Sequence, residues 1–138
     1  MKIHFRSNPL LVRYGETDQM GIVHHSNYLR YFEVARLEWL SQLGVSYSKM
    51  EKEGVLMPVI HASILYKTPA QFEDLLTIHI TLDKIPEVKM EFSYQVTNQN
   101  DQIVCTGKTA LAFLNSESRR PMRCPQSFKS IFEKVIAE

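Results

Sequence analysis

The strongest periodic pattern in the chain lies between residues 26 and 44. Apolar residues recur there at the three- and four-residue intervals of one helical face. They are Tyr28, Phe32, Ala35, Trp39 and Leu43. Other faces carry Leu29, Tyr31, Val34, Leu37 and Leu40. A helix that is apolar around most of its girth is expected to be deeply buried, and Gly44 suits the position just after its end.

Shorter elements are predicted on both sides of this helix. Residues 9–14 are predicted to form a short strand. Residues 15–25 contain two glycines and show little periodicity, so they are predicted to form a loop. A second, short helix is expected where Ser48 and Glu51 fit the S-x-x-E capping pattern, with Gly54 as its stop.

The second half of the chain predicts strands. The runs with strand-like texture are residues 56–68, 73–84, 88–98 and 102–115. Within the second run, Ile78, Ile80 and Leu82 alternate with polar residues and should share one face. The connections are too short for parallel crossovers, so the sheet should be antiparallel. Residues 125–138 resemble a short amphipathic helix.

One buried helix and one sheet indicate a two-layer α+β domain. Strands of about eleven residues exceed the common length and must twist and curl, so that the sheet can wrap a single helix. No repeat or linker interrupts the chain, and we expect one domain over residues 1–138.

Composition narrows the class of protein. The chain is 44% hydrophobic and 22% charged, with a net charge of +1, so a nucleic-acid partner is not expected. No apolar run approaches the roughly 20 residues of a membrane span, and the N-terminus lacks a signal-peptide pattern. We therefore expect a cytoplasmic protein without an integral membrane segment. Cys105 and Cys124 form no motif and should be reduced.

The loop before the long helix contains many residues whose side chains could take part in binding or catalysis. They are Tyr14, Glu16, Thr17, Asp18, Gly21, His24, His25, Asn27 and Tyr28. A helix N-terminus offers unpaired N–H groups, which would stabilise a carbonyl oxygen that gains negative charge. A carboxylate just upstream could attack that carbonyl or activate water. The residues alone indicate a candidate acyl-transfer site, with a capped helix and a polar loop as the alternative.

The run from Tyr14 to Arg36 fits the pattern Y-x-x-T-D-x-x-G-x-x-x-H-x-x-Y-x-x-[FY]-x-E-x-A-R. The segment from Tyr66 to Asp74 fits Y-x-x-P-A-x-x-x-D. Both closely resemble signatures of the 4-hydroxybenzoyl-CoA thioesterase family, in its bacterial acyl-CoA thioester hydrolase branch. The resemblance extends from about Leu10 to the last strand, which is nearly the whole chain.

This resemblance implies the hotdog fold, a curled antiparallel sheet of about five strands wrapped around one long central helix. It implies hydrolysis of acyl-CoA thioesters to a carboxylic acid and free coenzyme A, without a metal or redox cofactor. It also implies active sites at the interface of a homodimer, with contacts to coenzyme A from both subunits. Dimers are expected to pair into a homotetramer.

The resemblance also assigns residues. Asp18 takes the position of the catalytic carboxylate, which acts as nucleophile or general base. His25 stands at the start of the central helix, where its backbone N–H is implied to polarise the thioester carbonyl. Gly21, Asn27 and Tyr28 match positions near the family's pocket, and further candidates for binding the substrate are Tyr14, Thr17, His61, Lys67 and Lys89. For His61 and for each lysine, a surface side chain without this role is the alternative. The two lysines could meet the phosphates of coenzyme A, and His24 receives no role.

Other interpretations of the sequence are weaker. The histidines lack the spacing of zinc ligands, so no metal site is expected. Hotdog hydratases and dehydratases resemble a pattern with Asp and His about five residues apart, whereas Asp18 and His25 are seven apart. A non-catalytic acyl-carrier or partner-binding module would not need the intact signature. Glu33 and Arg36 share a helix face and must be paired or hydrogen-bonded if they are buried; we expect a structural role for both.

Overall fold

The computed structural model describes residues 2–137. The strands are β1 (Ile3–Arg6), β2 (Leu10–Leu11), β3 (Val55–Leu56), β4 (Val59–Tyr66), β5 (Leu75–Leu82), β6 (Lys89–Thr97), β7 (Ile103–Ala112) and β8 (Leu114–Asn115). The helices are α1 (Ser26–Gln42), α2 (Tyr47–Lys52) and α3 (Gln126–Ala137), and a 3₁₀ turn spans Tyr14–Glu16. The predicted domain begins at Met1, and both the domain and its last predicted helix end at Glu138. These two residues lie outside the described residues.

The main sheet is antiparallel, as predicted, in the order β1–β5–β6–β7–β4, with β2 also paired to β5. Ile78, Ile80 and Leu82 of β5 are each 1% exposed, which confirms that they share a buried face. The run predicted as one strand over residues 56–68 is divided into β3 and β4, because Pro58 lies between them and has no N–H to donate to a neighbouring strand. The register of β4 also shifts between Val59 and His61. The four long strands contain eight to ten residues each, rather than about eleven.

The helix α1 crosses the concave side of this sheet. The ring of Phe32 is fully buried and stacks on Tyr94 of β6, with centroids 4.1 Å apart. A Cβ at Gly107 of β7 would meet the Phe32 ring at 2.6 Å, so only glycine lets the helix come this close. Trp39 is 3% exposed in the same core, as predicted.

The opposite face of α1 corrects the prediction of deep burial all round. Leu29, Val34 and Leu37 are 43%, 54% and 39% exposed, because no element within residues 2–137 covers this side. The helix is amphipathic within one chain, although its sequence is apolar on most faces. Its end is as predicted: Gly44 has a positive φ of 85° just beyond the last turn.

Two short elements differ from the prediction. Only Leu10 and Leu11 of residues 9–14 pair with β5, because the chain turns into the 3₁₀ turn that begins at Tyr14. The cap of α2 is Ser46 rather than Ser48, since Ser46 Oγ accepts the Lys49 N–H at 3.2 Å. Gly54 ends this helix region with a φ of 94°, as expected.

The strand β4 forms one edge of the sheet and is exposed along both faces. Its large apolar residues are 47% to 65% exposed, namely Val59, Ile60, Leu65 and Tyr66. Within residues 2–137 its outer edge has no partner strand. An apolar, unpaired edge of this kind favours pairing with another chain.

Candidate active site

The segment that carries Asp18 is a tight, ordered loop. The Asp18 N–H donates to the Ile22 carbonyl and the Gly21 N–H to the Asp18 carbonyl, both over 2.9 Å. Gly21 has a φ of 77°, which a residue with a side chain adopts only with strain. One carboxylate oxygen of Asp18, Oδ1, accepts the Met20 N–H at 2.8 Å. The loop thus fixes the carboxylate at its tip, while Oδ2 makes no hydrogen bond to residues 2–137.

This loop rests on the second part of the signature. The Val23 N–H donates to the Ala70 carbonyl at 2.8 Å, and Ile22 forms an isolated bridge with Gln71. The side chain of Asp74 accepts the Gln71 N–H at 2.8 Å and so holds the turn on which the loop lies. The two sequence signatures are therefore one structural unit, joined by main-chain hydrogen bonds.

Glu16 organises the junction between the loop and α1, a role that the sequence analysis did not assign. Its carbonyl accepts the His24 N–H and the side-chain amide of the buried Asn27, at 2.9 and 3.0 Å. Its carboxylate accepts the Arg13 N–H at 2.8 Å and the Tyr31 hydroxyl at 2.9 Å. Burial alone would raise the pKa of Glu16, but the hydrogen bonds from Arg13 and Tyr31 outweigh burial and lower the pKa. Glu16 is therefore a charged, fully engaged structural group.

The two adjacent histidines have different positions. The His24 Nδ1 accepts the Ser26 N–H at 3.2 Å and lies 2.8 Å from the Ser26 hydroxyl, so this side chain caps α1. The His25 ring is exposed and lies against the His24 ring, with centroids 4.2 Å apart. The backbone N–H of His25 makes no hydrogen bond to any of residues 2–137. An unused donor therefore stands at the start of α1, beside the loop that presents Asp18.

Three predicted substrate residues, Tyr28, Tyr14 and Thr17, lie around this junction, and only Tyr28 is buried. Tyr28 is 4% exposed, and its ring lies 5.6 Å from that of Tyr66 at the end of β4. Burial raises the pKa of Tyr28 to about 12, so its hydroxyl stays protonated at neutral pH. Tyr14 is 76% exposed and packs edge-on against Phe72, while the Thr17 hydroxyl donates to the Tyr14 carbonyl at 2.7 Å.

Two of the predicted residues on the sheet, Lys67 and Lys89, lie far apart within one chain. Lys67 follows β4 and donates its N–H to Val104, whereas Lys89 pairs with Ala112. The two partners are eight positions apart on β7, or about 27 Å. His61 is exposed on β4. Both lysines could contact one ligand only if that ligand were long or bound between subunits.

A cavity of about 770 Å³ adjoins the junction between the loop and α1. Its lining includes Arg13, Glu16, Asn27, Arg30 and Tyr31, but neither Asp18 nor His25. This cavity therefore does not contain the two residues predicted to be catalytic.

Among residues 2–137, no group of three or more His, Cys, Asp or Glu side chains is placed to hold a metal ion. Burial raises the pKa of Cys105 and of Cys124 to about 12, so neither thiol is a nucleophile at neutral pH. None of the helices in this part of the chain has the length and apolar character that crossing a membrane requires.

Comparison with known proteins shows the family to which this chain belongs. The chain is 34% identical to YneP of Bacillus subtilis over 126 residues, 91% of each chain. It is 27% identical to the acyl-CoA thioesterase YbgC of Haemophilus influenzae over 130 residues, 94% of this chain and 95% of that one. The structure of the DHNA-CoA thioesterase from Staphylococcus aureus superimposes with a TM-score of 0.90 at 30% identity, covering 97% of this chain and 91% of that one. The family model of the thioesterase-like superfamily matches residues 12–132, and the chain therefore belongs to this superfamily, with the hotdog fold.

Proposed function

We propose that this protein hydrolyses acyl-CoA thioesters to a carboxylic acid and free coenzyme A. The observation that carries the proposal is the loop that leads into α1. It supplies a carboxylate oxygen of Asp18 that accepts no hydrogen bond from residues 2–137 and, at the start of the helix, the unused N–H of His25. Membership of the thioesterase-like superfamily and the likeness to the acyl-CoA thioesterase YbgC support the same reaction.

In this proposal the thioester carbonyl accepts a hydrogen bond from the His25 N–H. The positive end of the α1 dipole adds to this donor and stabilises the oxygen as it becomes negative. The donor is already in place before the substrate arrives, because His24 and Asn27 fix the first turn of the helix. No donor has to reorganise as the charge develops.

Asp18 then has two possible roles. As a general base it takes a proton from a water molecule that adds to the carbonyl carbon, and the C–S bond breaks as the tetrahedral intermediate collapses. As a nucleophile it attacks the carbonyl carbon itself, expels the coenzyme A thiolate and leaves a mixed anhydride that water hydrolyses. Both routes use the same donor at His25 and the same free oxygen of Asp18.

The proposed site is completed by a second copy of the chain. The apolar edge of β4 would pair with its own copy to give a homodimer, and dimers would pair into a homotetramer. Pairing about a twofold axis is antiparallel, so the Val59 end of one β4 would approach the Tyr66 end of the other. This arrangement would cover the Asp18 loop and bring Lys67 of one chain closer to the Lys89 end of its partner.

The direct test is release of free thiol from acyl-CoA, followed with a colorimetric thiol reagent. We expect thiol release with at least one substrate from a panel of aliphatic and aromatic acyl-CoAs. Asp18→Asn should slow it at least ~100-fold, whereas Asp83→Asn, at an exposed carboxyl far along the chain, should leave it unchanged. Hydration of an enoyl-CoA without thiol release would instead identify a hydratase, and no reaction with any substrate would favour a binding module.

A further inference from the structure

Arg36 of α1 is a buried cation without an acidic partner. The residue is 7% exposed, and none of the ion pairs found at 4.0 Å or less among residues 2–137 includes it. Its one side-chain hydrogen bond runs from Nη1 to the Tyr94 hydroxyl at 3.0 Å, and that hydroxyl in turn contacts Thr109. A buried guanidinium is unfavourable unless a counter-charge compensates it.

Tyr94 does not provide this counter-charge. Burial raises the pKa of the Tyr94 hydroxyl above its usual value, although the Arg36 charge and the hydrogen bonds from Arg36 and Thr109 oppose the shift. The phenol is therefore neutral at physiological pH. Arg36 has five N–H donors, and Tyr94 uses one of them.

The Arg36 side chain lines a cavity of about 260 Å³, whose other walls come from α1, the start of α2 and the sheet. Its walls are largely apolar, with Leu40, Met57, Phe92 and Leu111 around the Arg36 side chain. Tyr47 also lines it, but its hydroxyl is engaged with the Met57 carbonyl at 2.9 Å. A cavity of about 150 Å³ is large enough to hold benzene, so this one has room for a substituted ring.

We propose that this cavity binds a small monocarboxylate with an apolar body, of about the size of benzoate, and that Arg36 holds its carboxylate. The planar fork of a guanidinium matches a carboxylate, to which it can donate two parallel hydrogen bonds. The apolar walls would cover the body of the acid, which a multiply charged anion such as phosphate could not exploit. The single guanidinium of Arg36 among apolar walls therefore favours a ligand with one negative charge and an apolar body.

This binding site is separate from the catalytic loop. Arg36 lies ten positions after Ser26 on α1, which is about 15 Å along the helix. The buried rings of Phe32 and Tyr94 stack between α1 and the sheet in this region of the core. The inference therefore does not rest on the proposed thioesterase activity.

Glu33 is the acidic residue in the lining of this cavity. It is exposed and lies one turn before Arg36 on the same helix face, yet it does not approach the guanidinium within 4.0 Å. An entering carboxylate would be repelled by this charge. Glu33→Gln should therefore tighten binding by a few-fold, in the opposite direction to a change at Arg36.

The test compares benzoate with benzamide, a neutral ligand of almost the same shape, on the unmodified protein. Calorimetry measures the affinity, and methyl NMR signals of Met57 and Leu111 report where the ligand binds. We expect saturable benzoate binding with shifts at these methyl groups, and at least tenfold weaker binding of benzamide. Arg36→Gln should weaken benzoate binding roughly 10- to 100-fold, the scale of a lost hydrogen bond to a charged group. The matched control, Arg30→Gln on the exposed face of α1, should have little effect.

Three results would overturn the proposal. They are equal affinity for benzoate and benzamide, shifts confined to the Asp18 and His25 region, and absence of binding at millimolar benzoate. The last result would mean that Arg36 is compensated in another way, for instance by a carboxylate of a second copy. If Arg36→Gln does not fold, the comparison of the two ligands on the unmodified protein still decides the question.

Discussion

The side-chain amide of Asn27 donates to the main-chain carbonyl of Glu16 over 3.0 Å. This bond connects the first turn of α1 to the 3₁₀ turn that precedes Asp18. Asn27 is 7% exposed, so the bond is shielded from water. The His24 N–H reaches the same carbonyl. The helix start that presents the His25 N–H is therefore fixed by contacts with residues ten or so positions earlier in the chain.

Asn27→Ala is expected to loosen this junction. The change removes a buried hydrogen bond but leaves the Glu16 carbonyl with the His24 N–H as its donor, so the free energy of unfolding should fall by about 0.5–1.5 kcal/mol. Urea denaturation followed by circular dichroism measures the loss. Asn8→Ala, in an exposed loop, is the control and should change stability much less; similar values for both variants would contradict the role given to Asn27.

Asp18→Asn tests the proposed catalytic carboxylate. The amide keeps the shape of the side chain but loses its charge and basicity, so kcat should fall at least ~100-fold, the scale of losing a general base. The melting temperature should change little, because Asp18 accepts only one hydrogen bond through its side chain. Near-full activity in a folded Asp18→Asn protein would refute the assignment.

Glu16 gives a pH dependence of stability with a defined sign. Because its pKa is lower in the folded than in the unfolded chain, ionised Glu16 stabilises the fold above the unfolded pKa. This contribution is lost as the pH falls through the folded pKa. Glu16→Gln should therefore reduce the difference between the unfolding free energies at pH 7 and pH 3. Glu91→Gln, at an exposed position of β6, is the control, and an equal reduction in both variants would count against Glu16.

The sequence predicted α1 and β5 well because their information is local. Apolar spacing marks the face of α1 that holds Phe32, and alternation marks Ile78 and Ile80 on β5. The role of Glu16 could not be predicted in this way, since its partners Asn27 and Tyr31 are 11 and 15 positions away. Its only local signal was its distance of three residues from Arg13, whose N–H its carboxylate accepts.

Arg36 shows the same limit over a longer separation. The sequence predicted that a buried Arg36 would be hydrogen-bonded, with Glu33 as the obvious partner on the same helix face. The observed partner is Tyr94, 58 positions away on β6, while Glu33 is exposed. Periodicity places residues on a face, but only the packing of α1 onto the sheet decides which side chain of β6 lies opposite. The locations of His61, Lys67 and Lys89 relative to a substrate depend on assembly and stay predictions.

The proposed assembly predicts the absence of a stable monomer at micromolar concentration. The exposed apolar residues of β4 would be buried on pairing, and sedimentation velocity should show no 16 kDa species. Leu65→Lys, which places a charge on this strand, should shift the population toward monomer. Val88→Lys changes a residue that is also exposed, at 53%, but lies away from β4, and should not do so. A monomeric unmodified protein would contradict edge pairing.

His25→Ala separates the backbone from the side chain at the start of α1. Alanine retains the backbone N–H, and His24 still caps the helix through Ser26, so the donor to the thioester should survive the change. The loss in kcat should then be on the order of tenfold or less, whereas removing one oxyanion donor costs ~100- to 1,000-fold. The exposed imidazole, which contacts His24, would in that case only help to position water or substrate. Measuring kcat and KM for His25→Ala and Asp18→Asn on one good substrate, with folding checked by circular dichroism, decides between the two roles. An equal collapse of both folded variants would show that the imidazole itself takes part in the reaction as a partner of Asp18.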